Sequence, residues 1–539
     1  MDCSTQRIPY RQTGSFSNII LDYLDHADGL KPFYSHPPTL QGIQKAIEAR
    51  KKFSTNLPTG QAGRQLLVEE LKKQYASVKN SEAVEKNIEA LLSENTFTIT
   101  TAHQPNIFTG PLYFIHKILH TIKLAEHLGS LLPAFKFVPV YYMGSEDADL
   151  DELGHTYIDG QKIKWETKQI GAVGRMKVDK DLIKLISLIE GQLNVHPFGN
   201  EIMNLVKDCY KENVSIQDAT FKLVNALFAE YGLIVFIPDN ARLKRQMIPV
   251  FEDDLLSQAA SGIVEKTSRQ LEGLYKVQVN PREINLFYLK DNSRERIVKQ
   301  GAGYKVQGTN ATFSEEELKN ELQTNPERFS PNVVLRGLYQ ETILPNIIFT
   351  GGGGELAYWL QLKELFLNYK VPFPVLILRN SFLFVEKKWQ ERISKLGFTI
   401  EDFFLPEQEL VNRLVARETK KKLQLNGTFS ETESIYELIK KQATDIDVTL
   451  ARHVDSLKVQ TLHRLRELEK KMLRAEKRKF TDQQRQIHAI KEHLFPGSGL
   501  QERYDNFMPY YAKWGRDFIH KLYQHCLNLE QEFVIMSEQ

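Results

Sequence analysis

A chain of 539 residues with 42% hydrophobic and 26% charged side chains has the make-up of a globular protein with more than one domain. Its 70 basic and 68 acidic residues leave a formal net charge of +2, so overall charge gives no argument for nucleic acid as a partner. Three scattered cysteines argue against a disulfide framework or a cysteine-held zinc, and neither a membrane-length apolar run nor a signal-peptide core is present, so a cytoplasmic protein away from membranes is expected.

Residues 1–95 predict an irregular start and then a mostly helical layer packing on the core, with helices over 40–52, 63–77 and 81–94, the last opening at Asn80-Ser81-Glu82. A β-type run over 97–101 then enters a loop punctuated by proline and glycine, from His103-Gln104-Pro105-Asn106 to Thr109-Gly110-Pro111. Leu112, Ile115, Leu119 and Ile122 follow with helical spacing. A second apolar run, 137–143, ends in Gly144-Ser145-Glu146-Asp147-Ala148-Asp149, with Glu152 and His155 beyond. Strand, loop, helix, strand, loop is a βαβ unit, and ligands bind beyond the carboxyl ends of such strands. Both loops would face one crevice and bring His103, Gln104, Asn106, Glu146 and Asp147 together.

Further on, helices are expected over 181–192, 200–211 and 216–231, then a strand over 233–237 ended by Pro238-Asp239-Asn240. The chain reads as helical from 241 to about 275 and β-rich from 278 to 304, with a short strand over 307–314; this connecting segment, about 241–330, is an insertion in the core. Ser314 ahead of Glu315, Glu316 and Glu317 caps one more helix. A strand over 343–350 runs into four glycines, 351–354, then Glu355 and a helical pattern through Trp359, Leu362 and Phe366. Glycines between strand and helix let backbone N–H groups approach an anion or a sugar. No Gly-Lys-Ser/Thr follows, so this is not a Walker loop, and the acidic residue of a dinucleotide fingerprint is missing from 374–380. Residues 375–378 read as another buried parallel strand, carrying Arg379-Asn380-Ser381 at its carboxyl end.

Beyond 385 long helices dominate, giving an arm over 385–499 set apart from the core at 96–384. Val454, Leu457, Thr461, Leu465, Leu468, Met472 and Ala475 recur at spacings of three and four, a coiled-coil seam with mixed charges on its flanks. Its antiparallel partner is either 429–443 or 482–494; Pro496-Gly497-Ser498-Gly499 breaks the arm, and a C-terminal helical piece, 500–539, returns to the core.

In this order the loops resemble the BshC family, the cysteine-adding enzymes of bacillithiol biosynthesis. Thr101-Ala102-His103-Gln104, Thr109 to Tyr113 and Ile115-His116-Lys117 resemble its first motif; Glu146-Asp147-Ala148-Asp149 with Glu152 and His155 its second; Gly351 to Glu355, Ala357-Tyr358-Trp359 and Gln361-Leu362-Lys363 its third. Weaker matches are 282–287, 378–381 and 500–503. Ala102, Ala148 and Gly353 depart from the family's glycine, histidine and proline. The resemblance covers nearly the whole chain. It implies an α/β fold: a Rossmann-like parallel-sheet core of the class I synthetase/nucleotidyltransferase kind, small connecting insertions, and an α-helical coiled-coil arm supporting a homodimer. The implied activity is a carbon–nitrogen ligase joining cysteine to glucosaminyl-malate. Amide formation from a free carboxylate is uphill, so ATP is the expected activator, through an acyl-adenylate. The alternatives are another class I-like nucleotidyltransferase or amide ligase, and a coiled-coil scaffold with a vestigial crevice.

Under that resemblance each residue has a role set against a plainer one. His103 is the expected stabiliser of developing charge, with Gln104 and Asn106 contacting substrate and Thr109, Gly110, His116 and Lys117 on the nucleotide side; loop capping and packing are the plain readings. Glu146, Asp147 and Asp149, as like-charged neighbours, suit a general base, an amine site, or a magnesium ion bridging phosphates; a solvated turn is the alternative. His155, Gly352, Gly354, Glu355 and Tyr358 would contact substrate, and Arg379 with Asn380 would clamp the malate carboxylates. No protein-held metal is expected.

Overall fold

In a computed structural model, residues 2–56, 60–79, 81–419 and 424–539 are described. The centre is a five-stranded parallel sheet of β1 (Thr96–His103), β2 (Lys136–Met143), β3 (Ile234–Phe236), β4 (Asn346–Gly351) and β5 (Val375–Leu378). Its spatial order is β5-β4-β1-β2-β3, every pair parallel. The chain winds outward from β1 through β2 to β3, then returns to the other side of β1 for β4 and β5, so the switch point lies between β1 and β4. The Rossmann-like fold expected from the loops is this sheet.

The strands are buried along nearly their whole length, as a sheet covered on both faces requires. Helix α1 (Tyr113–Leu131) is the right length to return the chain from β1 to β2, and it buries Ile115, Ile118, Leu119 and Leu128. Phe97, Ile99, Phe137, Ile348 and Ile377 of the sheet share one core with Leu124 and Leu128 of α1 and with Ile43 and Ile47 of the helix Leu40–Asn56. The N-terminal helices therefore complete the core. One of them starts at Ser81, whose side chain accepts from Val84 N; Asn80, part of the expected start, lies outside the described residues.

The connecting segment holds four α-helices, the first a single turn, and a five-stranded antiparallel sheet that includes Leu286–Lys290, Ser293–Gln300 and Phe329–Pro331. Ser314 and Glu317 form the expected reciprocal cap of the helix that follows. Helix α2 (Val333–Ile343) then leads into β4, and helix α3 (Gly353–Trp359) opens directly on the glycines, shorter than the pattern to Phe366 suggested.

Two expectations need correction. The N-terminal layer is not only helical: it opens with the strand Cys3–Pro9, paired antiparallel with Glu532–Glu538. The C-terminal piece is accordingly two helices, Met508–Trp514 and Arg516–His525, and then this strand. Polar Ser4, Thr5, Gln6 and Arg7 hide the first strand, while β-branched Val534 and Ile535 belong to a run too short for the helix assigned to them.

The chain divides into two compact units, one comprising the residues to Phe384 with Gly499–Gln539, the other Val385–Ser498. In the second, α4 (Asn426–Ile446) and α5 (Leu450–Lys477) form an antiparallel hairpin, which selects the first of the two partner helices; α6 (Thr481–Leu494) follows. Tyr436 meets Thr461 at 2.7 Å, and Lys440 and Lys458 pair with Asp455 and Glu437 at 2.8 and 2.7 Å. The seam is partial: Val454 is buried but Leu457 and Leu468 stay 40% and 48% exposed, while Leu462, outside the expected pattern, is buried. Among the described residues no helix is long and apolar enough to cross a membrane.

Candidate active site

Beyond the carboxyl ends of β1, β2 and β4 lies a cavity of about 430 Å³. At the end of β1 the Tyr141 hydroxyl donates to His103 O at 3.1 Å, and the imidazole packs between the rings of Tyr113 and Phe114. Burial, with Lys117, Arg379 and Arg336 nearby, lowers the His103 pKa well below its ordinary value, so the ring is neutral. Lys117, on the first turns of α1, is itself buried; its ammonium donates to Ala102 O at 2.8 Å and pairs with Glu355. Glu355 also accepts from Gly352 N at 2.8 Å. One lysine thus ties the end of β1 to the glycine loop across the switch point. Gly351 has a steric reason to be glycine: a Cβ there would meet Phe349 at 2.7 Å and Leu356 at 2.8 Å.

The β2 loop contributes carboxylates with different surroundings. Glu146 pairs with the fully buried Lys244, which also donates to Glu327 O at 3.1 Å. Behind them Asp239 takes both a 2.7 and a 2.8 Å hydrogen bond from Arg175. Asp147 accepts from Gln104 Nε2 at 3.1 Å. Asp149 caps the short helix Leu150–Leu153 by accepting from Glu152 N at 3.1 Å. Glu152 lines the cavity, and partial burial together with Asp147 and Asp149 raises its pKa.

Arginines come from the other walls. Arg336, on α2, lies over the Tyr142 ring and donates to the Tyr358 hydroxyl. Arg294 arrives from the antiparallel sheet, its guanidinium stacked 3.9 Å from the centre of the Phe287 ring and donating to Ser330 Oγ at 3.0 Å. Arg503 comes from the C-terminal segment. Among the described residues none of these three has a carboxylate within ion-pair distance. Arg379 differs: Nη2 donates to Glu502 at 2.8 Å and Nη1 to Asn380 O and Ser381 Oγ, leaving Nε buried without a partner. Glu502 also meets His116 Nδ1 at 3.0 Å and accepts from Phe382 N. Although burial opposes it, Arg379 and His116 hold the Glu502 carboxyl down at about 2.

Of the expected site residues, the cavity brings together His103, Gln104, Lys117, Glu146 and Asp147 with Gly352, Gly354, Glu355, Tyr358 and Arg379. The others lie outside its lining. Asn106, Thr109 and Gly110 form a buried turn whose carbonyls at Phe108 and Gly110 accept from Asn506. His116 backs Glu502, Asn380 receives Leu527 N at 2.8 Å, Asp149 caps a helix, and His155 bonds the Asp151 carbonyl at 2.7 Å. The sequence gives no signal for Arg294 or Arg336, and it leaves Glu152 and Arg503 as motif positions without a role.

A family model described as the BshC N-terminal Rossmann-like domain of bacillithiol biosynthesis matches residues 1–380, and one described as the BshC C-terminal coiled-coil domain matches residues 382–538. A Flavobacterium johnsoniae protein named "Putative cysteine ligase BshC" is 39% identical over 534 residues, covering 99% of both chains. One of the same name from Cytophaga hutchinsonii is 38% identical over 522 residues, covering 97% of this chain and 96% of its own. A more distant one, from Salinibacter ruber, is 28% identical across 98% of this chain and 97% of its own.

Proposed function

The chain belongs to the BshC family, and we propose that it is a ligase that joins the carboxyl group of L-cysteine to the amino group of glucosaminyl-malate, forming bacillithiol. The observation that carries this reading is the separation of charge within one cavity. Glu146, Asp147 and Glu152 stand on the β2 side, whereas Arg336 and Arg503 come from other elements and lack carboxylate partners among the described residues. Guanidiniums that line a cavity without a carboxylate partner are open to a carboxylate ligand, which the planar fork of an arginine suits. A substrate with an amine at one end and two carboxylates at the other matches that polarity.

ATP would supply the activation of the cysteine carboxylate. The wall fits a polyanion on its own terms: Arg379 Nε and His103 Nε2 are buried polar atoms without partners, and Gly352 to Gly354 present backbone to the same space. His103, neutral and held by Tyr113 and Phe114, would contribute a fixed hydrogen bond to charge developing on oxygen. Lys117 would hold the two strand ends at constant spacing through Ala102 and Glu355. Magnesium arriving with the nucleotide would need only one or two protein carboxylates beside the phosphate oxygens, and Asp147 on the cavity wall is placed to be one.

Calorimetric titration with glucosaminyl-malate tests the reading. Arg336→Met removes a charge-assisted contact of about 1.5–3 kcal/mol, so affinity is expected to fall roughly ten- to a hundredfold. Glucosamine without the malate should bind both proteins alike. Equal affinity of the two proteins for glucosaminyl-malate would contradict the placement. We further propose that the protein works as a homodimer held through its helical hairpin, which leaves Leu438, Ile446, Val448 and Val459 more than half exposed.

A further inference from the structure

Four carboxylates line the cavity, and three of them are engaged. Glu146 pairs with Lys244, Glu355 with Lys117 and the Gly352 amide, and Asp147 accepts from Gln104. A carboxylate whose oxygens are already bonded to a buried ammonium or to a neighbouring amide is not open to an incoming substrate ammonium. Asp149 points its oxygen at the Glu152 amide as a helix cap and is not part of the lining. His103 is no better as a base, because a buried ring facing Lys117, Arg379 and Arg336 has little affinity for a further proton. Glu152 is left. Among the described residues its side chain has no hydrogen-bond or ion-pair partner, and it lines the cavity from the short helix Leu150–Leu153 after β2, on the side where the amine is placed.

From this geometry we propose that Glu152 is the general base that takes the proton from the amino-sugar nitrogen. The assignment rests on the ligase reading and names the group that makes its nucleophile. The ammonium gives one proton to the Glu152 carboxylate, and the freed lone pair forms the C–N bond at the activated cysteine carbonyl carbon. That carbon's bond to the leaving oxygen of its phosphoric anhydride breaks. The departing group carries off the second nitrogen proton, so the products are amide, protonated leaving group and protonated Glu152. The groups that face Glu152 agree with the task. Asp147 and Asp149 on its own loop raise its proton affinity, and Tyr113 of α1, Glu355 of α3 and Arg503 stand around the same space.

The test is the rate of bacillithiol formation by mass spectrometry from pH 5.5 to 9, with ATP and cysteine saturating and glucosaminyl-malate varied, on the wild type, Glu152→Gln and Glu152→Asp. Glu152→Gln is expected to lower kcat by about a hundredfold or more, to change KM by less than about threefold, and to lose the acid limb of the kcat/KM profile. Glu152→Asp keeps a carboxylate and should recover about tenfold of the loss. Melting temperatures should match, because the side chain holds no other part of the fold. A Glu152→Gln protein with wild-type kcat and an unchanged acid limb would overturn the assignment. A wild type that forms no bacillithiol at any pH would instead overturn the ligase reading, and the wild-type reaction alone reports that.

Discussion

Glu502 is the buried anion that holds Arg379 against the cavity. It is fully buried, pairs with Arg379, meets His116 and receives the Phe382 amide. Glu502→Gln would leave Arg379 without its counter-charge, and breaking a buried pair from one side costs about 3–5 kcal/mol. Urea denaturation at neutral pH should show that loss. The pH dependence follows from the same groups. The Glu502 pKa is depressed when folded, so its contribution is present above the ordinary carboxylate value of 4.5 and disappears as pH falls toward about 2. His120, fully buried and bonded to Asn528 O, has its pKa lowered from 6.5 to about 4 by burial. An unfolded histidine takes up its proton first as pH falls, so stability is lost between 6.5 and about 4, by up to about 3 kcal/mol from this ring. His103 and His116, also lowered by burial, act in the same direction. The urea midpoint should therefore fall between pH 7 and pH 4.5, and a constant midpoint would contradict this. At this scale the sequence was readable where polar residues cluster at a strand end, as at His103-Gln104 and Glu146-Asp147. Arg294, Arg336 and Arg503 carry no such signal, because each sits in an ordinary helix, strand or turn and reaches the cavity only through the tertiary fold.

Among the elements, the buried turn after β1 is the most constrained. Phe108 and Thr109 hold positive φ, and Gly110 follows at φ 66° and ψ −141°, a conformation open essentially to glycine. A Cβ at Gly110 would lie 2.8 Å from Asn106 Cβ. Gly110→Ala is expected to cost more than about 2 kcal/mol, from backbone strain together with this clash, again by urea denaturation. The glycine was noticed in the sequence for nucleotide contact, whereas its structure assigns it to a turn that Asn506 closes from the other end of the chain. The core strands were legible because strands buried on both faces are continuous apolar runs. Cys3–Pro9 was not, since a mostly exposed edge strand needs no apolar pattern. In the hairpin, the choice between two partner helices could not be made from spacing, because both candidates are amphipathic.

For the molecule as a whole, two family models cover nearly the entire chain, and the parallel sheet places the matched loops around one cavity. The proposed homodimer is a property at this scale. Sedimentation equilibrium should give twice the monomer mass of 62.3 kDa. Leu438→Glu and Val459→Glu together should return the monomer, since they place charge where apolar contact is proposed. A monomeric wild type would contradict the proposal. The central claim, that the cavity joins cysteine to glucosaminyl-malate, is tested most directly by incubating purified protein with both substrates, magnesium and ATP, with a parallel reaction lacking ATP, and weighing the product. Bacillithiol formed only with ATP is the predicted result. Bacillithiol in both reactions would contradict the energy source, and none in either, from a protein that still binds glucosaminyl-malate, would contradict the ligase itself.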